Sequence, residues 1–348
     1  MTISSSIARD PVSRGESVIS SNTWAQHMYL ANYRDGRWND GAIVEQGPIA
    51  INPAASGIQF GQSVFEGICV ERSPEGKRVF FRLEQHYERL IRSCRRLAIP
   101  ELPWSAFHRA VESVTAERSQ WEYPFTSDII YLRPVVFGTT SLIAPRAAET
   151  YVFVILAAPF RRRFKEEGLT IAVNREYGRT ANRGLGWAKT GANYAPIHLP
   201  TSGLANSAID SILWLDSERG SLIKEVTVAN IFFEIRQGLI TPQLDGHILP
   251  GITRDSVIEL AKSEFHLQVM ECDIELSEIS SLAHKKELVS MFVSGTARGL
   301  HPIGVLLDGT EEIRPNRVDG IYAALAQRLD SIKRGTAPDS RGWTEIVD

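Results

Sequence analysis

Cysteine is scarce in this 348-residue chain, and its three copies, Cys69, Cys94 and Cys272, stand far apart. That spacing fits neither a disulfide framework nor a thiolate metal site, and it points to a reducing compartment. No two of the eight histidines are spaced His-x-x-x-His and none lies near a cysteine, so no metal site is expected. Long apolar runs are also missing. The longest, Tyr151 to Phe160, spans ten residues, against the ~20 that a membrane helix needs. Met1 to Ser21 is rich in serine and holds no continuous apolar stretch, which argues against a secretory signal. Neither sign of charge is in excess: 38 basic and 41 acidic residues give a formal net charge of −3. The Arg161-Arg162-Arg163 run is too short to act as a nucleic-acid arm. The expectation is a cytoplasmic globular protein with no nucleic-acid or membrane partner.

The hydrophobic content of 43% and the length suit about two domains of ordinary size. Residues 1–40 are polar and read as a loose extension, 41–165 as a small α/β domain, 166–186 as a linker, and 187–348 as a larger domain. In the first half, Ile49 to Ile51, Gln59 to Cys69 and Val79 to Phe81 read as extended segments. Leu83, Tyr87, Leu90, Cys94 and Leu97 recur at helical steps until Pro100 stops them. A second helix is expected over Ser105 to Gln120, followed by strands at Ile129 to Phe137 and Tyr151 to Ala158. The basic, glycine-bearing stretch after Arg161 carries one short strand, Leu169 to Val173. Beyond it, strands at Ser211 to Leu215, Ile231 to Ile235 and Leu288 to Val293 alternate with helices at Thr253 to Phe265 and Asp319 to Arg334. Mixed α/β is the fold class.

Five places carry possible chemistry. Lys189 is the one cation in the segment from Gly184 to Tyr194, among small and apolar residues. Burial there would lower its pKa, as a Schiff-base lysine requires, although composition alone favours a surface lysine in a flexible glycine-rich loop. The turn Leu249-Pro-Gly-Ile-Thr-Arg254 opens an amphipathic helix whose first N–H groups and Thr253 hydroxyl would suit an anion, or merely cap the helix. Ser294 to Ala297 follows a strand with small residues that allow close backbone approach, as does any tight turn. Glu225 stands in an apolar, β-type stretch, where a carboxylate either faces water or serves a buried nitrogen. Arg89 lies beside the apolar stripe of its helix, free to meet solvent or a phosphate.

Taken in order, these segments resemble the branched-chain aminotransferase family, within the fold-type IV class of pyridoxal-phosphate enzymes. The matching stretches are Phe60-Gly-Gln-Ser-Val-Phe-Glu-Gly67, Arg89 in its Glu-Arg-Leu context, Tyr131-Leu-Arg-Pro134 and Lys189-Thr-Gly-Ala-Asn-Tyr194. Glu225, Leu249 to Arg254, Ser294 to Ala297 and the closing Gly342-Trp-Thr-Glu-Ile-Val347 continue the series. Chain length and the Trp121 region look closest to the larger, eukaryote-like subgroup. The resemblance implies a two-domain fold with pyridoxal 5′-phosphate between the domains. It implies that Lys189 attaches the cofactor and shuttles a proton, that Glu225 pairs with the pyridine nitrogen, and that Tyr194 meets the phenolic oxygen. Arg89, Thr253, Thr296 and the N–H of Ile252 would hold the phosphate. Tyr131 and the Thr296-Ala297 backbone would line the substrate carboxylate site, Arg133 would take the distal carboxylate of glutamate or 2-oxoglutarate, and Phe65 would pack in the side-chain pocket. A homodimer is implied as well.

Several positions depart from that pattern. Phe60 stands where the family usually has a tyrosine, and Arg163 where it places a pocket aromatic. Thr227, Val228 and Ala229 follow Glu225 in place of smaller residues, Ala192 interrupts paired glycines, and Arg298 and His301 occupy the neighbourhood of the redox cysteines. The expectation is transamination of a branched-chain or related aliphatic L-amino acid with glutamate or 2-oxoglutarate. The alternatives are a specialised member acting on a polar or acidic amino acid, suggested by Arg163, Phe60 and Val228, and a D-amino acid or amine transaminase. A non-catalytic protein that merely binds pyridoxal phosphate is disfavoured, because Lys189, Tyr194 and Glu225 are all present.

Overall fold

Two twisted sheets, each nine-stranded among the described residues, make up the computed structural model, which describes residues 24–116, 129–162, 164–204 and 207–348. The first half of the chain supplies β1 (His27–Arg34), β2 (Arg37–Trp38), β3 (Ala42–Glu45), β4 (Ser63–Phe65), β5 (Ile68–Arg72), β6 (Arg78–Phe81), β7 (Ile129–Gly138) and β8 (Tyr151–Pro159). The second supplies β9 (Leu169–Asn174), β10 (Ser211–Leu215), β11 (Ile223–Val226), β12 (Asn230–Ile235), β13 (Gly238–Pro242), β14 (Val269–Cys272), β15 (Leu288–Gly295), β16 (Gly299–Asp308) and β17 (Glu311–Ile313). The last strand, β18 (Thr344–Val347), returns to the first sheet, which runs β18-β6-β5-β7-β8-β1-β2 with β3 on β1 and β4 on β7. The second sheet runs β11-β10-β9-β16-β15-β12-β13-β14, with β17 on β16. The mixed α/β expectation holds.

The helices are α1 (Ser56–Gln59), α2 (Leu83–Arg96), α3 (Trp104–Ala116), α4 (His198–Thr201), α5 (Ile252–Ser263), α6 (Leu276–His284) and α7 (Tyr322–Lys333). On α2 the apolar stripe read from the sequence buries Leu83, Leu90 and Cys94 against the first sheet, beside Phe107, Val111 and Val114 of α3. Packing of α5 and α7 on β15 and β16 brings Val257, Leu260, Phe292, Leu325 and Leu329 into one cluster. Arg82 precedes α2 with φ 51°, a left-handed conformation that is costly for a non-glycine residue. It is held there by bonds to α5, with Nη1 donating to Ser256 Oγ at 2.9 Å and Nη2 pairing with Asp255 at 2.7 Å, and by Trp343 under its guanidinium.

Two of the expected boundaries change. Residues 27–38, assigned to a loose extension, form β1 and β2, and β1 pairs with β8 over Tyr29 to Tyr33. The mixture of His, Asn, Tyr and Arg hid a strand that buries Met28, Tyr29 and Ala31. Residues 166–186, read as a linker, contain β9, which lies between β10 and β16 in the second sheet. The short strand expected at Leu169 to Val173 is thus present, with Leu169 and Ile171 buried, but it belongs to the second sheet and not to a linker. Ile49 to Ile51 form no strand. The end of the second expected helix, residues 117–120, and Trp121 lie outside the described residues.

Candidate active site

Between the sheets lies a cavity of about 480 Å³. Its walls come from β4 and the turn after it, α2, β7, the loop carrying Lys189, β11, the start of α5 and the end of β15. Of the residues singled out in the sequence, Phe65, Arg89, Tyr131, Arg133, Lys189, Tyr194, Glu225, Val228, Ile252, Thr253, Thr296 and Ala297 all line it. Phe60 does not: it is 39% exposed on the segment after α1 and outside the wall. A position next to the Gly-Gln-Ser turn in sequence is therefore not in the cavity of this chain. Arg163 lies outside the described residues.

Lys189 is placed by its backbone. Its N–H donates to Ser93 Oγ on α2 at 2.9 Å, and its carbonyl accepts from Phe65 N–H on β4 at 2.9 Å. The following residue, Thr190, donates its hydroxyl to Ser63 O, and Asn193 Nδ2 closes the loop onto the carbonyls of Leu185 and Ala188. The lysine is thus pinned between a helix and a strand, with Nζ 3.1 Å from the Tyr194 hydroxyl and 4.6 Å from the Phe65 ring centre. Trp187, two residues before the lysine, is 54% exposed and lines a separate groove. The apolar cover comes from Phe65 and Tyr194 instead. Burial alone would raise the Tyr194 phenol, but Lys189 and Arg179 outweigh it and hold its pKa below the usual tyrosine value.

Glu225 is buried on β11 and pairs with Arg179 Nη1 at 2.9 Å. Burial raises its pKa despite that guanidinium. Arg179, in the stretch read as a linker, went unnoticed in the sequence because its partner is 46 residues away. Arg89 is likewise paired: Nε and Nη2 donate to the two oxygens of Glu66 at 2.7 and 2.8 Å, and Nη1 donates to Pro250 O at 3.0 Å. A guanidinium has five N–H groups, so two remain for the cavity. Glu66, quoted above only as part of a motif, also accepts from His86 Nδ1 at 3.0 Å. Burial works against its charge, yet Arg89 and His86 overcome this and hold its pKa far below the carboxylate range.

The start of α5 forms the end wall. Gly251, not Thr253, occupies the N-cap. A β-carbon on Gly251 would fall 2.0 Å from Asn230 Oδ1, so only glycine lets the helix begin this close to β12. Elsewhere on the wall, a β-carbon on Gly67 would fall 2.3 Å from the Tyr131 hydroxyl. Tyr131 accepts from Arg133 Nη2 at 2.8 Å, and that guanidinium lies 4.8 Å from the centre of the Phe65 ring. Val228, 50% exposed, and Thr227, whose hydroxyl accepts from Trp214 Nε1 at 3.0 Å, edge the floor.

These residues sort into an anion-receiving end, a central lysine and a cationic far end. The buried Ser294 Oγ, on the cavity wall without a hydrogen-bond partner, and the two remaining N–H groups of Arg89 fit a bound phosphate-bearing group. Among the described residues no cluster suits a metal ion, and no helix is long and apolar enough to cross a membrane.

The amino-transferase class IV family matches residues 63–305. The branched-chain-amino-acid aminotransferase of Mycobacterium tuberculosis is 35% identical over 91% of this chain and 89% of its own length. The fold is shared with the branched-chain aminotransferase of Thermoproteus uzoniensis solved with norvaline, at TM-score 0.76 and 25% identity over 93% of this chain and 100% of that one. It is also shared with the branched-chain amino acid aminotransferase of Thermobaculum terrenum in its PLP-form, at TM-score 0.75 and 22% identity over 94% and 100%. The extent of these matches and the lysine-centred cavity lead to one conclusion: this chain belongs to the class IV aminotransferases.

Proposed function

We propose that this protein transfers the amino group of a branched-chain L-amino acid to 2-oxoglutarate with pyridoxal 5′-phosphate as cofactor. The observation that carries the reading is Lys189, pinned through its backbone with Nζ between the Tyr194 hydroxyl and the Phe65 ring, in the same cavity as the buried Glu225–Arg179 pair. The names of the curated relatives support the branched-chain substrate. When bound, the cofactor supplies a carbonyl that amines can join and a pyridine ring that takes up electrons.

The protein's residues do the rest. Ile252 and Thr253 at the start of α5, Thr296 just after β15 and Arg89 on α2 would hold the phosphate through backbone and side-chain donors. Glu225, whose pKa burial raises against the pull of Arg179, offers its carboxylate to the pyridine nitrogen and shares a proton with it. Tyr194 hydrogen-bonds the phenolic oxygen, and its hydroxyl keeps Lys189 Nζ in place. Lys189 Nζ is the base that takes a proton from the substrate α-carbon and returns it. Tyr131 and the backbone at Thr296 and Ala297 receive the substrate α-carboxylate. Arg133 takes the distal carboxylate of 2-oxoglutarate, while Phe65 and Val228 border the aliphatic side chain.

A polar or acidic donor has less support. Of the two described residues that suggested it, Phe60 is outside the cavity wall and Val228 edges it, while Arg163 lies outside the described residues. We also propose a homodimer: Ile58 and Phe60, exposed on one short segment, are apolar surface suited to a subunit contact. The test of activity is glutamate formation from L-leucine and 2-oxoglutarate by protein loaded with pyridoxal phosphate. Turnover with leucine, valine and isoleucine is expected. Turnover with D-donors or acidic donors alone would replace the reading.

A further inference from the structure

A second cavity of about 10 Å³, room for about one water molecule, lies behind the anion-receiving end of the site. Ile252, Thr253 and Thr296 line both it and the main cavity, so their backbone and side chains form the partition between the two. On the far side of the partition stand Cys69, His86 and Lys333. Lys333 ends α7 and is only 4% exposed, with Nζ 5.3 Å from the centre of the Phe81 ring. The acids of its surroundings are committed elsewhere: Glu71 pairs with Arg162 at 2.7 Å and Arg334 at 3.7 Å, and Asp330 with Arg162 at 3.6 Å. Among the described residues no carboxylate stands within ion-pair distance of the lysine. Cys69 donates its thiol to Thr296 O, and His86 is bonded to Glu66, so neither brings a negative charge to the cavity.

An ammonium in such a place weakens the empty protein. Burying a cation without a counter-charge is costly, and a hydrophobic residue of similar volume would suit the surroundings better. Burial and the neighbouring Arg162 accordingly push the Lys333 pKa below the usual lysine range. The position becomes favourable once an anion occupies the other side of the partition, next to the first turn of α5, whose N–H groups have the same polarity.

We propose that Lys333 is a positioning residue for the cofactor phosphate, acting from behind Thr253 and Thr296 through the water-sized cavity between them. It supplies positive charge that Arg89 cannot supply in full, because the Arg89 guanidinium is already neutralised by Glu66. The inference rests on the pyridoxal-phosphate reading above and concerns a residue which that reading does not employ.

The experiment compares wild-type apoprotein with Lys333→Met and Lys333→Gln. Dissociation constants are measured by absorbance and fluorescence for pyridoxal phosphate and for pyridoxal, which lacks the phosphate. Thermal midpoints of the apoproteins are recorded with and without inorganic phosphate. Lys333→Met is expected to weaken pyridoxal phosphate about tenfold, to leave pyridoxal unchanged, and to raise or preserve the apoprotein midpoint. Lys333→Gln keeps a polar group beside the cavity but not the charge, and falls between. Equal weakening of both ligands would mean a merely structural role and overturn the proposal, as would unchanged affinity for pyridoxal phosphate. If the wild type takes up neither ligand, the cofactor reading itself fails and inorganic phosphate decides. Stabilisation of wild type but not of Lys333→Met upholds the role of Lys333, whereas equal stabilisation overturns it.

Discussion

Replacing Glu66 by glutamine tests how the anion-receiving end is held together. The carboxylate is fully buried and accepts four bonds: two from Arg89 at 2.7 and 2.8 Å, one from His86 Nδ1 at 3.0 Å and one from its neighbour Gly67 N–H at 3.2 Å. Glu66→Gln keeps the shape, removes the charge and turns an NH2 group toward a guanidinium that is itself buried. Removing one partner of a buried ion pair costs about 3–5 kcal/mol, since the other charge is left without compensation. At 2–4 °C per kcal/mol for a sizeable domain, the apoprotein midpoint should fall by roughly 6–20 °C. The pH dependence follows from the same bond set. The folded pKa of Glu66 lies below its unfolded value, so its contribution is fully present above the unfolded value and is lost as pH falls toward the folded one. The gap between wild type and Glu66→Gln should therefore be constant near neutrality and narrow below about pH 4.5. Urea denaturation of both apoproteins across pH 3 to 8 measures it. A loss below about 1 kcal/mol at pH 7, the size of an exposed pair, would refute the reasoning.

Arg133→Met keeps an unbranched stem over Phe65 but loses a cation. KM for 2-oxoglutarate should rise about 10- to 100-fold, the worth of a charged hydrogen bond, while the half-reaction with leucine, followed by stopped-flow, changes much less. Tyr194→Phe removes the 3.1 Å bond to Lys189 Nζ; a shift of the visible absorbance band and a fall in kcat of roughly tenfold are expected. In the second sheet, Phe232 and Phe292 stack with ring centres 4.9 Å apart and planes within 3°. Phe232→Ala should cost about 3–5 kcal/mol of stability in chemical denaturation with no change in KM.

Much of this was legible in the chain. Helical spacing from Leu83 to Leu97 and the strands at 129–138 and 151–159 appear where the apolar pattern placed them. The site residues of the Lys189, Leu249–Arg254 and Ser294–Ala297 segments converge on one cavity. What stayed hidden depends on pairing across the sequence. Arg179 is defined by Glu225, Glu66 by Arg89, and Lys333 by a partition built from α5 and β15, and none of these has a signature in local spacing. β1 was missed because its buried residues, Met28, Tyr29 and Ala31, are mixed with His, Asn, Tyr and Arg and show no clean alternation, whereas the strand expected at Leu169 to Val173 is present as β9.

The central claim is that Lys189 carries the cofactor and mediates transamination of branched-chain amino acids. The most direct test is the absorbance spectrum of wild type and Lys189→Ala after loading with pyridoxal phosphate, followed by titration with L-leucine. The wild type should show the visible band of lysine-bound cofactor, lose it on addition of leucine and recover it with 2-oxoglutarate, whereas Lys189→Ala should show no such cycle. A wild-type spectrum unmoved by leucine, or a full cycle in Lys189→Ala, would contradict the account.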